Sequence, residues 1–172
     1  LHLRVVAQHA ALAEVKAVAE KAIANVRSMG FALTSCTVPA KGTPTFVLSE
    51  DEMEFGVGIH GEPGTRREET VTADELAEKL LDCICSDIPF TAGCEAAVLV
   101  NGFGSTPLQE LYLLFNSAAK SLEKRGIKIA KSYVGNYMTS IDMAGASITL
   151  MKLDEELKEL LSAPADACGF KC

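Results

Sequence analysis

The stretch MEFGVGIHGEPG, Met53 to Gly64, constrains the fold more than any other in the chain. Met53, Phe55, Val57 and Ile59 alternate with Glu54, Gly56, Gly58 and His60, the period-2 signature of a β-strand with one buried face. A strand of this kind must pack its apolar side against a second layer, so an all-helical bundle is excluded. The same stretch ends where Gly58, Gly61, Pro63 and Gly64 surround His60, one of three histidines in the chain. His60 is expected on the face opposite the apolar residues, leaving the strand end in a tight turn.

The covering layer is written in 3.6-residue periodicity. Residues 3–29 place Leu3, Val6, Ala10, Val15, Val18, Ala22 and Val26 on one face, which predicts a long amphipathic helix ended by Gly30. Phe31 to Val38 then reads as a strand stopped by Pro39, followed by turn chemistry at Lys41-Gly42-Thr43-Pro44. Thr72 and Glu75 form a capping box that opens a helix to about Ser86. Glu95 to Val100 is a short buried strand. In the glycine loop NGFGSTP that follows it, Thr106 is the expected N-cap, Pro107 the first helical residue and Gln109 the box partner. That helix is expected to run to Arg125 and stop at Gly126. Ile127 to Val134 and Ser147 to Leu153 are further strands, and Asp154 caps a last short helix. With no repeat or interior linker, residues 1–172 read as one α/β domain. A sheet covered by helices is expected, mixed because the strands near Pro44 are joined by a tight turn.

Composition narrows the partners. A chain of 172 residues buries roughly 70% of its unfolded surface, enough for a core without staples. Its formal net charge of −7, with no Lys/Arg block, repels phosphate backbones and anionic membranes, so neither nucleic acid nor a membrane is an expected partner. Apolar stretches such as Ala96 to Val100 fall far short of the ~20 residues of a membrane span, and no secretory leader pattern opens the chain. Of the six cysteines, Cys83 and Cys85 are too close for a CxxC pair, and Cys168 and Cys172 lie in an expected tail. Reduced thiols and a cytoplasmic location follow as expectations. The chain starts at Leu1 rather than at methionine, directly in a helical pattern, which suggests a piece of something longer.

Three places carry candidate chemistry. NGFGSTP joins a strand to a helix, where N–H groups favour an anion, but it lacks a P-loop lysine and reads as a structural turn. The hydroxyls and Asp142 of TSIDMAG suit local backbone bonding as well as catalysis. His2 and His9 sit beside polar positions on the leading helix and read as solvated. His60 is the remaining candidate, since a neutral imidazole serves as base, metal ligand or nucleophile, although no second histidine stands at ligand spacing, and the residues alone leave a structural hydrogen-bonding histidine equally open. Glu62 either orients the ring or caps the turn, and turn capping ranks first.

MEFGVGIHGEPG, RSMGFALTSCTVP (Arg27 to Pro39), VNGFGSTPLQELY (Val100 to Tyr112) and GNYMTSIDMAGASITLMKLD (Gly135 to Asp154) together resemble the K subunit of dihydroxyacetone kinase over nearly the whole chain, in order. The resemblance implies the C-terminal of two α/β domains, a two-layer fold with helices packed on a six-stranded mixed sheet, and the N-terminal domain absent here. It implies that His60 adds to the carbonyl carbon of dihydroxyacetone, whose oxygen becomes a hydroxyl on taking up a proton, and holds it as a hemiaminal, with Gly58 and Gly61 leaving room for the triose. It also implies a cytoplasmic homodimer whose N-terminal domain supplies the acid/base residue, so this piece alone should lack turnover. No cofactor is expected on this chain; ADP or ATP with Mg belongs to a partner L subunit. The end after KLDEELKELLSAPADACGFKC favours a separate L subunit over a fused one. The alternatives are a non-catalytic dihydroxyacetone-binding sensor of the same family, and a purely structural dimerisation domain.

Overall fold

Antiparallel pairing of β1 (Val26–Ala32) with β6 (Gly145–Leu153) through seven consecutive registers, Val26 with Met151 to Ala32 with Gly145, forms the middle of the sheet. The computed structural model describes residues 10–60, 62–167 and 170–171. Outward from that pair lie β2 (Glu52–Phe55) and β3 (Arg66–Glu69) on one side, and β4 (Glu95–Gly102) and β5 (Lys128–Gly135) on the other. The order is β3-β2-β1-β6-β4-β5, antiparallel except for the parallel β4–β5 pair, so the sheet is mixed and six-stranded as the resemblance implies. A two-residue pair, β7 (Asp166–Ala167) with β8 (Phe170–Lys171), stands apart from it.

Helices α2 (Ala73–Asp87) and α3 (Leu108–Lys124) press Leu76, Leu80, Leu81, Ile84, Leu111, Leu114 and Leu122 onto Met53, Phe55, Val98, Val100, Ile148 and Leu150 in the main core. Each of these strand residues alternates with one facing the other way, which is the pleat at work. Arg125, just past α3, bridges Glu78 and Asp82 of α2 at 2.6 and 2.7 Å. A smaller cluster joins Val18 and Ala22 of α1 (Leu12–Ala24) to Leu157 and Leu160 of α4 (Glu155–Ser162), with Met151 and Leu153 against it.

Caps follow the sequence in part. The Thr72/Glu75 box opens α2, and Asp154 accepts from the Leu157 N–H at 2.8 Å to open α4. Gly126 ends α3 with φ +71, a conformation L residues avoid. At α3 the expectation fails. Pro107, not Thr106, is the N-cap, because the Thr106 hydroxyl donates to Gly145 C=O and accepts from Gly145 N–H.

The largest correction concerns the first helix. It ends at Ala24, and residues 26–29, expected to carry it on to Gly30, join Gly30, Phe31 and Ala32 in the central strand. The helix-spaced apolar positions serve a helix only as far as Ala22. Beyond it Arg27, Met29 and Phe31 alternate with Ser28, Gly30 and Ala32, and pairing on both edges outweighs local propensity. Gly30 is therefore no helix terminator. A Cβ there would lie 2.9 Å from Val57 O and 3.0 Å from Phe103 Cζ, so its absence allows two loops to close over the strand. The expected strand from Phe31 to Val38 ends at Ala32, and the four charged residues of β3 form a strand that the pattern does not predict. The first part of the predicted helix, with His2 and His9, lies outside the described residues, as do Cys168 and Cys172. Cys36, Cys83, Cys85 and Cys94 are free thiols. Among the described residues no helix is long and apolar enough to cross a membrane.

Edge strand β3 is held to α2 by ion pairing of Glu68 with Lys79, and Glu68 also pairs with Arg66. Hydrogen bonding from Lys79, ahead of that from Arg66, holds the Glu68 carboxyl below the usual carboxylate range. A folded-state value below the unfolded one contributes stability above the ordinary range and loses it as pH falls through the lowered value. Stability in urea is expected to decline on acidification below about pH 4.5, and more shallowly in Glu68→Gln. Identical acid limbs in the two proteins would contradict this role.

Candidate active site

The strand alternation that dominates the sequence breaks at Gly56. Met53 and Phe55 enter the main core, but Gly56 adopts φ +82 and turns the chain, so Val57 joins a separate cluster with Ala32, Cys36, Phe103 and Met143. The strand expected to reach His60 therefore stops at Phe55, and residues 56–65 form a loop that returns to its own start. Thr65 N–H donates to Phe55 C=O at 2.8 Å, and Gly56 N–H to Gly30 C=O at 2.7 Å.

Glu54 closes the loop from below. The expected alternation places it outward, yet it is 7% exposed, and its two oxygens are both satisfied. One accepts from Gly64 N–H at 2.9 Å; the other pairs with Arg67 at 3.1 Å, its cross-strand neighbour on β3. A buried carboxylate persists only with such partners. Gly64 is required beside it, since a Cβ would lie 2.5 Å from Phe55 O. The Arg66 guanidinium caps the Phe55 ring at 4.3 Å from the centroid.

His60 sits in this loop with 80% of its side chain exposed. Glu62 holds it twice: Oε2 accepts from the His60 backbone N–H at 2.9 Å, and Oε1 lies 2.9 Å from Nδ1. The same carboxylate thus caps the turn and meets the ring. Gly58 stands against it, and a methyl at Gly58 would overlap the Glu62 carboxylate. The space that Gly58 leaves is thus filled by Glu62. Gly61 lies outside the described residues. Hydrogen bonding to its own backbone N–H and to His60 holds the Glu62 carboxyl below the usual range, so it is ionised near neutrality.

Beside the loop is a cavity of about 380 Å³, walled by Gly30, Gly56, Gly58, Ile59, Asn101 and Phe103 among others. Gly58 and Ile59 belong to this wall; His60, the next residue in the chain, does not line it. The opposite wall is set by Asn101, 2% exposed, whose amide donates to Met138 C=O at 2.7 Å and accepts from Tyr137 and Met138 N–H at 2.9 Å each. Nothing in the glycine-loop reading pointed to Asn101; an Asn before Gly at a strand end is the signal available.

The loop NGFGSTP is a structural joint. Phe103 N–H donates to Gly145 C=O and Ser105 N–H to Met143 C=O, so these donors are already used. Gly104 has φ +127, and a Cβ there would overlap Ile141 C=O. Asp142 of TSIDMAG likewise serves backbone, accepting from Thr37 N–H at 3.0 Å. Neither loop is brought to His60 by a side chain that does chemistry. Among the described residues, no three or more of His, Cys, Asp and Glu cluster at metal-binding distance.

The fold and loop define a class: an α/β domain that presents one held imidazole at the margin of a cavity. The chain belongs to the Dak1 domain family, whose model matches residues 4–169. It is 47% identical over 162 residues to the dihydroxyacetone-binding subunit DhaK of the PTS-dependent dihydroxyacetone kinase 1 of Listeria innocua, covering 94% of this chain and 49% of that one. It is 42% identical to the D-erythrulose kinase of Mycolicibacterium smegmatis, covering 93% of this chain and 28% of that one. The solved structure of the dihydroxyacetone kinase operon co-activator Dha-DhaQ superposes with a TM-score of 0.84 at 34% identity, over 90% of this chain and 48% of the other. The chain thus spans about half the length of the Listeria relative and of the co-activator.

Replacing Glu54 with Ala leaves the Gly64 N–H without its acceptor and Arg67 without its ion-pair partner. A loss of about 1–3 kcal/mol in urea unfolding is expected, together with faster hydrogen exchange at the Gly64 amide. Unchanged exchange there would mean that the loop is held by other means.

Proposed function

We propose that the chain is the C-terminal, dihydroxyacetone-anchoring domain of a kinase subunit, in which His60 bonds covalently to the ketone. The observation that carries this reading is the exposed His60 ring, met at Nδ1 by Glu62, which also binds the His60 backbone N–H, next in the chain to residues that wall an open cavity. An exposed structural histidine has no need of a rigid mount; a nucleophile does.

In the proposed step the lone pair of a ring nitrogen forms a bond to the carbonyl carbon. The C=O π pair moves to oxygen, which takes up a proton, giving the hemiaminal. A bond to an electrophilic carbon rejects glycerol, whose hydroxyls are similar but which has no such carbon. It also fixes the terminal hydroxyl, so that phosphoryl transfer becomes a positioned, nearly unimolecular event. The name of the Listeria DhaK subunit supports dihydroxyacetone as ligand, and that of the erythrulose kinase supports four-carbon ketoses as further candidates.

The rest of the machinery is assigned to partners. The N-terminal domain of the same subunit is proposed to supply the acid/base residue, and an L subunit in the cytoplasm to bring the nucleotide with Mg. The PTS-dependent relative supports a separate donor of this kind. The subunit is proposed to be a homodimer. A second reading, a dihydroxyacetone-binding co-regulator without turnover, is favoured by the likeness to the operon co-activator. The two share the His60 bond and differ in turnover.

The test uses the full-length protein with ¹⁵N-histidine and dihydroxyacetone labelled with ¹³C at the carbonyl carbon. A one-bond ¹⁵N–¹³C coupling is expected in the wild type and is lost in His60→Ala; a bound carbon that stays a ketone would refute the proposal.

A further inference from the structure

We infer that Glu62 is a positioning residue: it fixes His60 in the Nδ1–H tautomer, leaves Nε2 as the nitrogen that bonds the ketone, and pairs with the positive charge the ring acquires. This deepens the proposed anchoring role of His60 and rests on it for the bonded state only.

The tautomer follows from donor and acceptor chemistry. An ionised carboxylate only accepts hydrogen bonds, and Oε1 stands 2.9 Å from Nδ1, so the hydrogen in that contact belongs to Nδ1. A neutral imidazole carries one ring hydrogen, which places the lone pair on Nε2. Free histidine in water prefers the other tautomer, with its hydrogen on Nε2, so the contact works against the intrinsic preference. The second oxygen of Glu62 is tied to the His60 backbone N–H at 2.9 Å, which sets the carboxylate relative to the main chain that carries the ring. Two bonds from one carboxylate to one residue leave the ring little freedom about either side-chain torsion.

Gly58 completes the mount. A side chain there would occupy the volume of the Glu62 carboxylate, so Gly58 serves the histidine's partner, whereas the family resemblance assigns its space to the triose. When Nε2 bonds to the carbonyl carbon, the ring becomes a substituted imidazolium that keeps its Nδ1–H. The carbonyl oxygen takes a proton from water, and the net positive charge of the adduct lies across the 2.9 Å contact from Glu62. A carboxylate on the far nitrogen also makes the near one a better electron-pair donor, the logic by which carboxylates tune ligating histidines.

The test is ring-nitrogen NMR on the full-length protein with ¹⁵N-histidine, at neutral to mildly alkaline pH and without ligand, the His60 signals being identified by their loss in His60→Asn. The wild type is expected to show a protonated Nδ1 and an unprotonated Nε2, and Glu62→Ala to move towards the Nε2–H form. Glu62→Gln, whose amide oxygen still accepts from Nδ1–H but carries no charge, is expected to retain the wild-type tautomer. With dihydroxyacetone added, affinity is expected to fall about 10–100-fold in Glu62→Ala and by less in Glu62→Gln. A wild-type ring with its hydrogen on Nε2 overturns the inference, as does equal loss of affinity in both variants with no change of tautomer. If the tautomer depends on Glu62 while no ketone carbon bonds to His60, the positioning of the ring stands and the anchoring function fails.

Discussion

A single buried carboxylate holds the functional end of this molecule together. Glu54 sits where β2 leaves the sheet and binds both the Gly64 N–H and Arg67, so the loop that leaves at Gly56 must return within hydrogen-bonding distance of its origin. Removing a carboxylate from water is costly, and the arrangement persists because both oxygens are satisfied. Val57 and Ile59 then pack the first half of the loop against Phe103, Met143 and Ala32. Both ends of the loop are thus held by contacts within the folded chain, which lowers the entropy cost of placing His60.

That loop shows how far the sequence can be read. Its candidate residue is legible in GIHGEPG, where an imidazole stands among glycines, while the proposed carbonyl chemistry comes from the resemblance to the K subunit rather than from the spacing. Its geometry is not legible. Met53, Phe55, Val57 and Ile59 alternate as one strand, and only the positive φ of Gly56 sends Val57 into a different cluster. Glu62 is legible as turn cap or ring orienter, since both its contacts lie within two residues, whereas Glu54 is legible as a charge but not as a clamp, since Gly64 and Arg67 are brought to it by the turn. The run RREE carries no apolar alternation and therefore gives no strand signal, yet it pairs with β2 through its backbone and leaves its charges to guard an edge.

The first helix departs from expectation for a complementary reason. The helical spacing of apolar side chains carries past Asn25 to Val26, and local pattern alone favours continuation to Gly30. The chain instead pairs residues 26–32 with β6 over its whole length and with β2 at Phe31 and Ala32. A central strand with neighbours on both edges gains more from pairing than a helix end gains from propensity. The helices whose starts the sequence does reveal, α2 and α4, have side-chain caps that act within three residues, where sequence and structure are close to the same information. The cap assigned to Thr106 loses to a distant partner, Gly145, which no local reading contains.

Membership of the Dak1 domain family and half-coverage of its relatives fit a domain that contributes one part of a divided task. The part visible here is a pinned loop, a clamped ring and a cavity at its foot. Under the proposed chemistry the domain captures a ketone and hands it to groups that lie elsewhere. The Gly58–Glu62 contact sharpens that account, because it places the limiting feature in the orientation of one ring nitrogen rather than in the shape of a pocket. A kinase and a co-regulator built on this domain would share that nitrogen. The most direct measurement is a crystal structure of the full-length protein soaked with dihydroxyacetone, beside a second crystal soaked with glycerol. The account predicts continuous density from His60 Nε2 to a tetrahedral carbon in the first, Glu62 still on Nδ1, and no bonded ligand in the second. A planar ketone lying free of the ring, or glycerol bound in the same way, would contradict it.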